Sequence, residues 1–216
     1  MNSNHTLLKL LCLTLFGTSI LLMEIIGFLR RDYNPLSQYI SEMGVVGAQY
    51  ANIINYFGFL PIGICALIMT LSLQAKLSTN ISSRSGFLLV GLGIFIGYFG
   101  AFMFPCDDGC PTQGSFSQTM HNVLGLISYM IIPAGLLILG IGLRKGATTL
   151  SPLMPVVMAF VYMLGFFMML SPSQIDLLGF WQRLADYTLI LFLIFVTLFA
   201  KVEQNDEGEG QELNSL

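Results

Sequence analysis

Residues 86–105 read GFLLVGLGIFIGYFGAFMFP, twenty positions without one charged side chain. A helix exposed to water needs a polar face, and this stretch offers none. A run of roughly 18 or more apolar residues is long enough to cross a hydrocarbon core of about 30 Å at about 1.5 Å per residue. Five further runs of this kind lie near 10–28, 51–73, 119–143, 153–170 and 184–200, the run quoted above filling 86–104. With 55% hydrophobic and only 10% charged residues, the chain lacks the polar side chains to cover a soluble domain. The runs do not alternate polar with apolar residues as barrel strands do, and a helix satisfies its own backbone hydrogen bonds in lipid. The reading is an all-α, polytopic membrane protein, with a six-helix transmembrane domain over 1–202. The first run is too long for a signal-peptide core, lacks a small-residue cleavage site and has only Lys9 before it, so it counts as the first helix.

The net charge of −3 conceals a division within the chain. Five of the twelve acids (Glu203, Asp206, Glu207, Glu209, Glu212) stand in 203–216, so the remainder carries 9 − 7 = +2. That segment has no apolar periodicity and is expected to be a disordered, solvated tail. Six helices place both termini on one side. With the termini inside, Lys9, Lys76, Arg84, Arg144, Lys145 and Lys201 are cytoplasmic and Arg30, Arg31 and Arg183 are outside, six against three, as the positive-inside tendency prefers. Arg30 and Arg31, directly after the first helix, argue locally for the opposite. The whole-chain count gives an expectation of cytoplasmic termini in a plasma membrane. No basic cluster suggests a nucleic-acid partner.

Polar chemistry collects in the connections that this orientation places outside. In RRDYNPLSQYISEMGVVG, residues 30–47, a short helix is expected with Asn34 as N-cap, Pro35 at its first position and Gly44 at its end. Leu36, Ile40 and Met43 would share one face, so the helix would lie on the membrane surface or cover the bundle. FPCDDGCPTQGSFSQTMHN, residues 104–122, holds two of the four cysteines, an aspartate pair and His121. Cys106 and Cys110 flank a tight turn; outside the cytoplasm a disulfide is the expected state, with metal binding as the alternative. C-x-x-x-C alone lacks the further ligands of a zinc site, and His5 and His121 fall on opposite sides, so neither a metal nor a haem cofactor is expected. Cys12 and Cys65 read as packing residues within helices.

DYNPLSQYISEMGVVGAQYANIINYFGFL after the first helix, FPCDDGCP followed by His121, and GFWQRLADY leading into the sixth helix resemble the integral-membrane family known as domain of unknown function 998. PLSQYISEMG before a helix beginning at Asn52 is more distantly similar to the damage-regulated autophagy modulator family, also six-helix membrane proteins. The resemblance implies a fold and a topology but no reaction. It singles out Pro35, Ser37, Ser41, Glu42, Phe104, Pro105, Asp107, His121 and Arg183.

Among these, Ser37, Glu42, Asp107, His121 and Arg183 are the candidate ligand-binding set. His121, about two turns into the fourth helix, suits a proton carrier, a metal ligand or a hydrogen-bond partner of Asp107 or Glu42, or a purely structural bond at headgroup level. Arg183 and Asp186 are spaced to pair with each other. Glu24, Glu42, Asp107, Asp108, His121, Asp176, Arg183 and Asp186 come from separate parts of the chain and should reach one depth, as a pocket roofed by the first loop or as a wet rim. Three function classes follow. The first is a protein that binds a membrane-lipid headgroup or a small polar ligand, with Arg183 recognising an anionic group. The second is an intramembrane hydrolase, metal-dependent in the manner of the alkaline ceramidase and progestin-adipoQ receptor superfamily, with His121 and Asp107 activating water and Ser37 polarising the substrate. The third is a small-solute transporter, disfavoured because helices two to five carry no charge near their midplane.

Overall fold

The structure, a computed structural model, describes residues 3–145 and 148–201. Six helices succeed one another with no strand among the described residues. Helix α1 runs through Ser3–Phe16, a π-helical stretch Gly17–Leu21 and Leu22–Leu29. Helix α2 is Ala51–Leu77, with a second π-helical stretch at Ile54–Phe59 lying against the first. Helices α3 (Ile81–Met103), α4 (Phe116–Leu143), α5 (Leu153–Met169) and α6 (Leu178–Phe199) complete the bundle. The acidic segment 203–216 lies outside the described residues.

Five of these helices are long and apolar enough to cross a membrane, and α5, at 17 residues, is the short one. The helices outrun the apolar runs mainly at their starts, because hydropathy reports the thickness of the hydrocarbon while the helix continues through its polar caps. At the start of α3, Asn80 Oδ1 accepts from Ser83 N at 3.0 Å and Ser83 Oγ accepts in return from Asn80 N, which closes a capping box. At the start of α4, Ser115 Oγ accepts from Gln118 N. Side chains such as Leu13, Phe28, Phe57, Phe160 and Phe199 point away from the bundle and are exposed. Apolar surface of that extent is stable only against lipid.

Each helix packs on its chain neighbours, and α6 closes the ring onto α1. The broadest interface joins α3 to α4, because glycines remove the side chains that would hold the backbones apart. A Cβ on Gly86 would stand 2.6 Å from the Leu139 backbone, and one on Gly142 would stand 2.3 Å from Ser83 N. Asn80 Nδ2 adds a hydrogen bond to Gly142 O at 2.8 Å. Ile62, Met69, Leu73, Phe87, Leu136 and Leu193 fill the middle of the bundle without exposure.

The first loop folds over the end of the bundle, and its helix differs from the expected one. A 3-10 segment begins at Ile40, with Tyr39 as N-cap, and ends at Gly44. Asn34 instead closes a turn: its Oδ1 accepts from Leu36 N and its carbonyl from Gln38 N. The start is displaced because Pro35 O, Leu36 O and Ile40 N are bonded to α6. Ile40 and Met43 are buried as plugs of the bundle, whereas Leu36 is exposed. Of the two placements considered for this segment, covering the bundle is the one adopted.

Candidate functional site

The loop end of the bundle holds two polar assemblies. The upper one is a roof, the first loop bolted to the start of α6. Phe180 N donates to Leu36 O at 2.9 Å, and Ile40 N donates to Gln182 Oε1 at 2.6 Å. Gly179 makes the seat possible, since a Cβ there would stand 2.1 Å from Gln38 O and 2.4 Å from Pro35 O. Arg183, only 9% exposed, ties the parts together. Its Nε donates to Glu24 Oε1 at 2.8 Å, Nη1 to Pro35 O at 2.7 Å and Nη2 to Tyr33 Oη at 2.9 Å. Its ion pair therefore runs to Glu24 on α1, not to Asp186 one turn along its own helix. The guanidinium fork can meet a carboxylate and two backbone or phenolic oxygens together, which a pair along the helix surface could not offer. Tyr33 is buried beneath it, and burial pushes its phenol pKa up against the opposing pull of Arg183.

The remaining groups of the roof are internal to it. Glu42 Oε1 accepts from Tyr39 N and Oε2 from Gln38 Nε2, so its carboxylate holds the 3-10 segment. Arg30 binds Asp32 and the Glu42 carbonyl. Ser37 is half-buried in the turn before it.

The hairpin between α3 and α4 is built in the same manner. Cys106 and Cys110 are joined in a disulfide, their Cα atoms 5.1 Å apart. Between them Cys110 N donates to Asp107 O, and Gly109, at φ 73°, takes the left-handed position of the turn. The Asp107 carboxylate accepts from Ser115 N at 2.8 Å and Ser115 Oγ at 2.7 Å, just before α4. Those bonds, from the Ser115 backbone first and its side chain second, hold the carboxyl below the usual aspartate range. Gln118, fully buried, links Asp107 N to Pro111 O. His121 Nδ1 lies 2.9 Å from Phe104 O; a carbonyl can only accept, so Nδ1 carries the proton and Nε2 is left with its lone pair.

Below the roof lies a cavity of about 90 Å³. Ile40 and Ser41 of the roof form its top, and Ser41 Oγ stands 3.3 Å from Cys110 Sγ, which brings roof and hairpin together at this point. His121, Gly125, Ser128 and Tyr129 of α4 form one wall, Tyr98 of α3 and Tyr162 of α5 a second, and Gln182 and Asp186 of α6 a third. Asp186 is 8% exposed. Tyr98 Oη donates to its Oδ2 at 3.2 Å, Tyr129 is a second hydroxyl partner, and neither ion pair among the described residues includes it. It stands 186 − 178 = 8 residues into α6, about 12 Å along the axis at 1.5 Å per residue.

Of the five candidate ligand-binding residues, His121 alone lines this cavity. Glu42, Asp107 and Arg183 hold the roof and the hairpin, and Ser37 sits in the roof's first turn. The cavity's chemistry comes instead from Asp186, Gln182 and the three tyrosines. Tyr98, Tyr129 and Tyr162 each look in sequence like an ordinary aromatic in an apolar run. Cys106, Cys110 and His121 present ligand atoms within 4.8 Å of one another, but in this structure both sulfurs belong to the disulfide.

A family described as "Protein of unknown function (DUF998)" matches residues 15–199. The chain belongs to this family. The match runs from α1 to the end of α6 and includes the roof, the hairpin and the cavity. No curated protein and no solved structure matches the chain. The DUF998 assignment thus brings no activity with it, and function must be argued from the site.

Proposed function

We propose that this DUF998 protein is a binding protein of the membrane, holding a small polar ligand in the cavity beneath the first loop. The observation that carries this reading is Asp186. A carboxylate at membrane depth is costly unless something compensates it, and here it meets the hydroxyls of Tyr98 and Tyr129, has no ion pair among the described residues and borders open space. In the neighbouring roof, by contrast, Arg30, Glu42 and Arg183 are hydrogen-bonded within the fold and none lines the cavity, so a buried carboxylate facing open space is particular to the cavity.

The volume of about 90 Å³ is that of about three water molecules, which favours a small solute over a whole phospholipid headgroup. Arg183, already bonded to Glu24, Tyr33 and Pro35, is not free to recognise an anion. With the termini cytoplasmic, as the basic-residue count prefers, the cavity lies at the outer end of the bundle, beneath the first loop. Binding is preferred over hydrolysis because Asp107 and His121, the pair a hydrolase would use, are each hydrogen-bonded elsewhere.

The test is a thermal-shift screen of small polar metabolites on protein purified in detergent, repeated on Gly125→Leu. Gly125 lines the cavity, and a Cβ there meets nothing within 4 Å, so leucine occupies the space without forcing the backbone apart. Compounds that stabilise the native protein should lose their effect in Gly125→Leu. A screen in which no compound acts, or in which all act equally on both proteins, would refute the reading.

A further inference from the structure

We infer that the cavity's ligand is a small organic ammonium ion. This rests on the binding reading above and names the chemical class. A carboxylate that is 92% buried and without a cationic partner calls for positive charge. Three sources of charge compete: a proton, a hard metal ion and an organic cation. The walls decide among them.

A hard ion needs about six oxygen ligands to replace its water. Besides Asp186 the cavity offers scattered hydroxyls and the His121 Nε2 lone pair, too few donors for a hard ion or for a tetrahedral zinc site, and the Gln182 carbonyl is already taken by Ile40 N. Ile94, Ile132, Leu189 and Ile190 supply hydrocarbon where a metal would require donors. A proton would neutralise Asp186 but leave the space beside it unused.

An ammonium ion fits both the charge and the walls. Tyr98, Tyr129, Tyr162 and Phe59 line the same cavity as the carboxylate. The Phe59–Tyr98 and Tyr129–Tyr162 rings pack as pairs with centroids 6.1 and 5.1 Å apart, so a cation would lie against these pairs and not between their rings. Aromatic faces attract a cation through their quadrupole, and they do so best for cations whose charge is spread over methyl groups and weakly hydrated. The ammonium head would rest on Asp186 and the rings, with any short apolar substituent against the isoleucines. About 90 Å³ is the room of about three waters at their liquid share of about 30 Å³, or of about six water-sized spheres at about 15 Å³ each, which admits an ion of up to about five heavy atoms.

Tetramethylammonium and tert-butanol have five heavy atoms each and nearly the same shape, but only the first is charged. Titrated calorimetrically into the purified protein at constant ionic strength set with sodium chloride, tetramethylammonium should bind saturably and tert-butanol should not. Asp186→Asn should weaken tetramethylammonium binding at least 30-fold, and Gly125→Leu should abolish it. Equal binding of the two compounds, both lost in Gly125→Leu but unchanged in Asp186→Asn, would overturn the ammonium assignment and leave the small-ligand site standing. Tetramethylammonium binding that survives Gly125→Leu would place the compound elsewhere and overturn the assignment together with the reading it rests on. Absence of any saturable binding by tetramethylammonium and by methylammonium would overturn the ammonium class alone.

Discussion

The roof and the cavity lie within one helical turn of each other on α6, yet they treat charge in opposite ways. In the roof, Arg183 meets Glu24, Tyr33 and two segments of the first loop, and its buried guanidinium is bonded on three nitrogens. In the cavity, Asp186 meets the hydroxyls of Tyr98 and Tyr129 but belongs to neither ion pair of the described residues, and it borders open space. Satisfied polar groups specify a structure, and a buried group short of partners costs stability unless a ligand completes it. The difference separates the residues that build this end of the molecule from those that can act on something else. It also predicts mutational effects of opposite sign at positions 183 and 186.

The largest effect is expected at Arg183. Arg183→Met removes the charge and leaves Tyr33 Oη and the loop carbonyls without their donor, while Glu24, whose side chain is 44% exposed, can recover water. We expect a loss of about 3 kcal/mol, read as thermal unfolding in detergent. Arg183→Lys should recover less than half of it, because an ammonium cannot reach three acceptors in one plane. Full rescue by lysine would mean that charge, not the fork, holds the roof.

Gly179→Ala attacks the same roof by sterics alone. The new methyl would collide with the carbonyls of Pro35 and Gln38, so loop and helix must separate. A cost of about 1–3 kcal/mol is expected, as for overpacking elsewhere. Hydrogen exchange should quicken at Phe180 N and Ile40 N, which the displaced loop would expose. An unchanged exchange rate at both amides would show that the roof is not seated through this glycine.

Much of the fold was legible in the sequence because lipid imposes it. Runs such as 86–104 announce their spans by hydropathy, whereas the N-cap expected at Asn34 gives way to Tyr39 because the loop bonds to α6. Which residues meet inside was far less legible. In water a helix marks its buried face by an apolar stripe, but in lipid both faces are apolar, so the rotations that turn Tyr98, Tyr129 and Tyr162 toward Asp186 leave almost no trace. The pairing of Arg183 failed to emerge for a related reason. Spacing along α6 suggests Asp186, whereas the partner that wins, Glu24, is 159 positions away and becomes a neighbour only when α6 closes the ring onto α1. The polar hairpin and first loop stood out by composition, but composition cannot tell a residue that builds a roof from one that lines the space beneath it.

Asp186→Asn should move stability the other way from Arg183→Met, and by less. Asparagine keeps an acceptor for Tyr98 and removes a buried charge with no cation beside it, so the unliganded protein should be unchanged or up to about 1 kcal/mol more stable. Thermal unfolding with and without tetramethylammonium measures both halves of the expectation. If Asp186→Asn were as destabilising as Arg183→Met, Asp186 would be part of the framework and the contrast between the two regions would fail.

The smallest effect belongs to Asp107, which extends the comparison to the hairpin, where charge is again satisfied but close to water. Its carboxyl is held below its ordinary range first by Ser115 N–H and then by Ser115 Oγ–H. A carboxylate whose folded-state pKa lies below its unfolded value, about 3.9, contributes stability above that value and loses the contribution as pH falls through the folded pKa. The native protein should therefore exceed Asp107→Asn in Tm at pH 7, and the gap should close below about pH 4 as Asp107 takes up its proton. Because the other acids titrate alike in both proteins, the difference between the two curves isolates this one group. Placement just before α4 also sets the sign, since a negative charge at a helix start is favoured and an amide gains little there. A gap that stays constant from pH 7 to pH 3 would show that Ser115 is held by shape alone, and that the hairpin, unlike the roof, does not depend on charge.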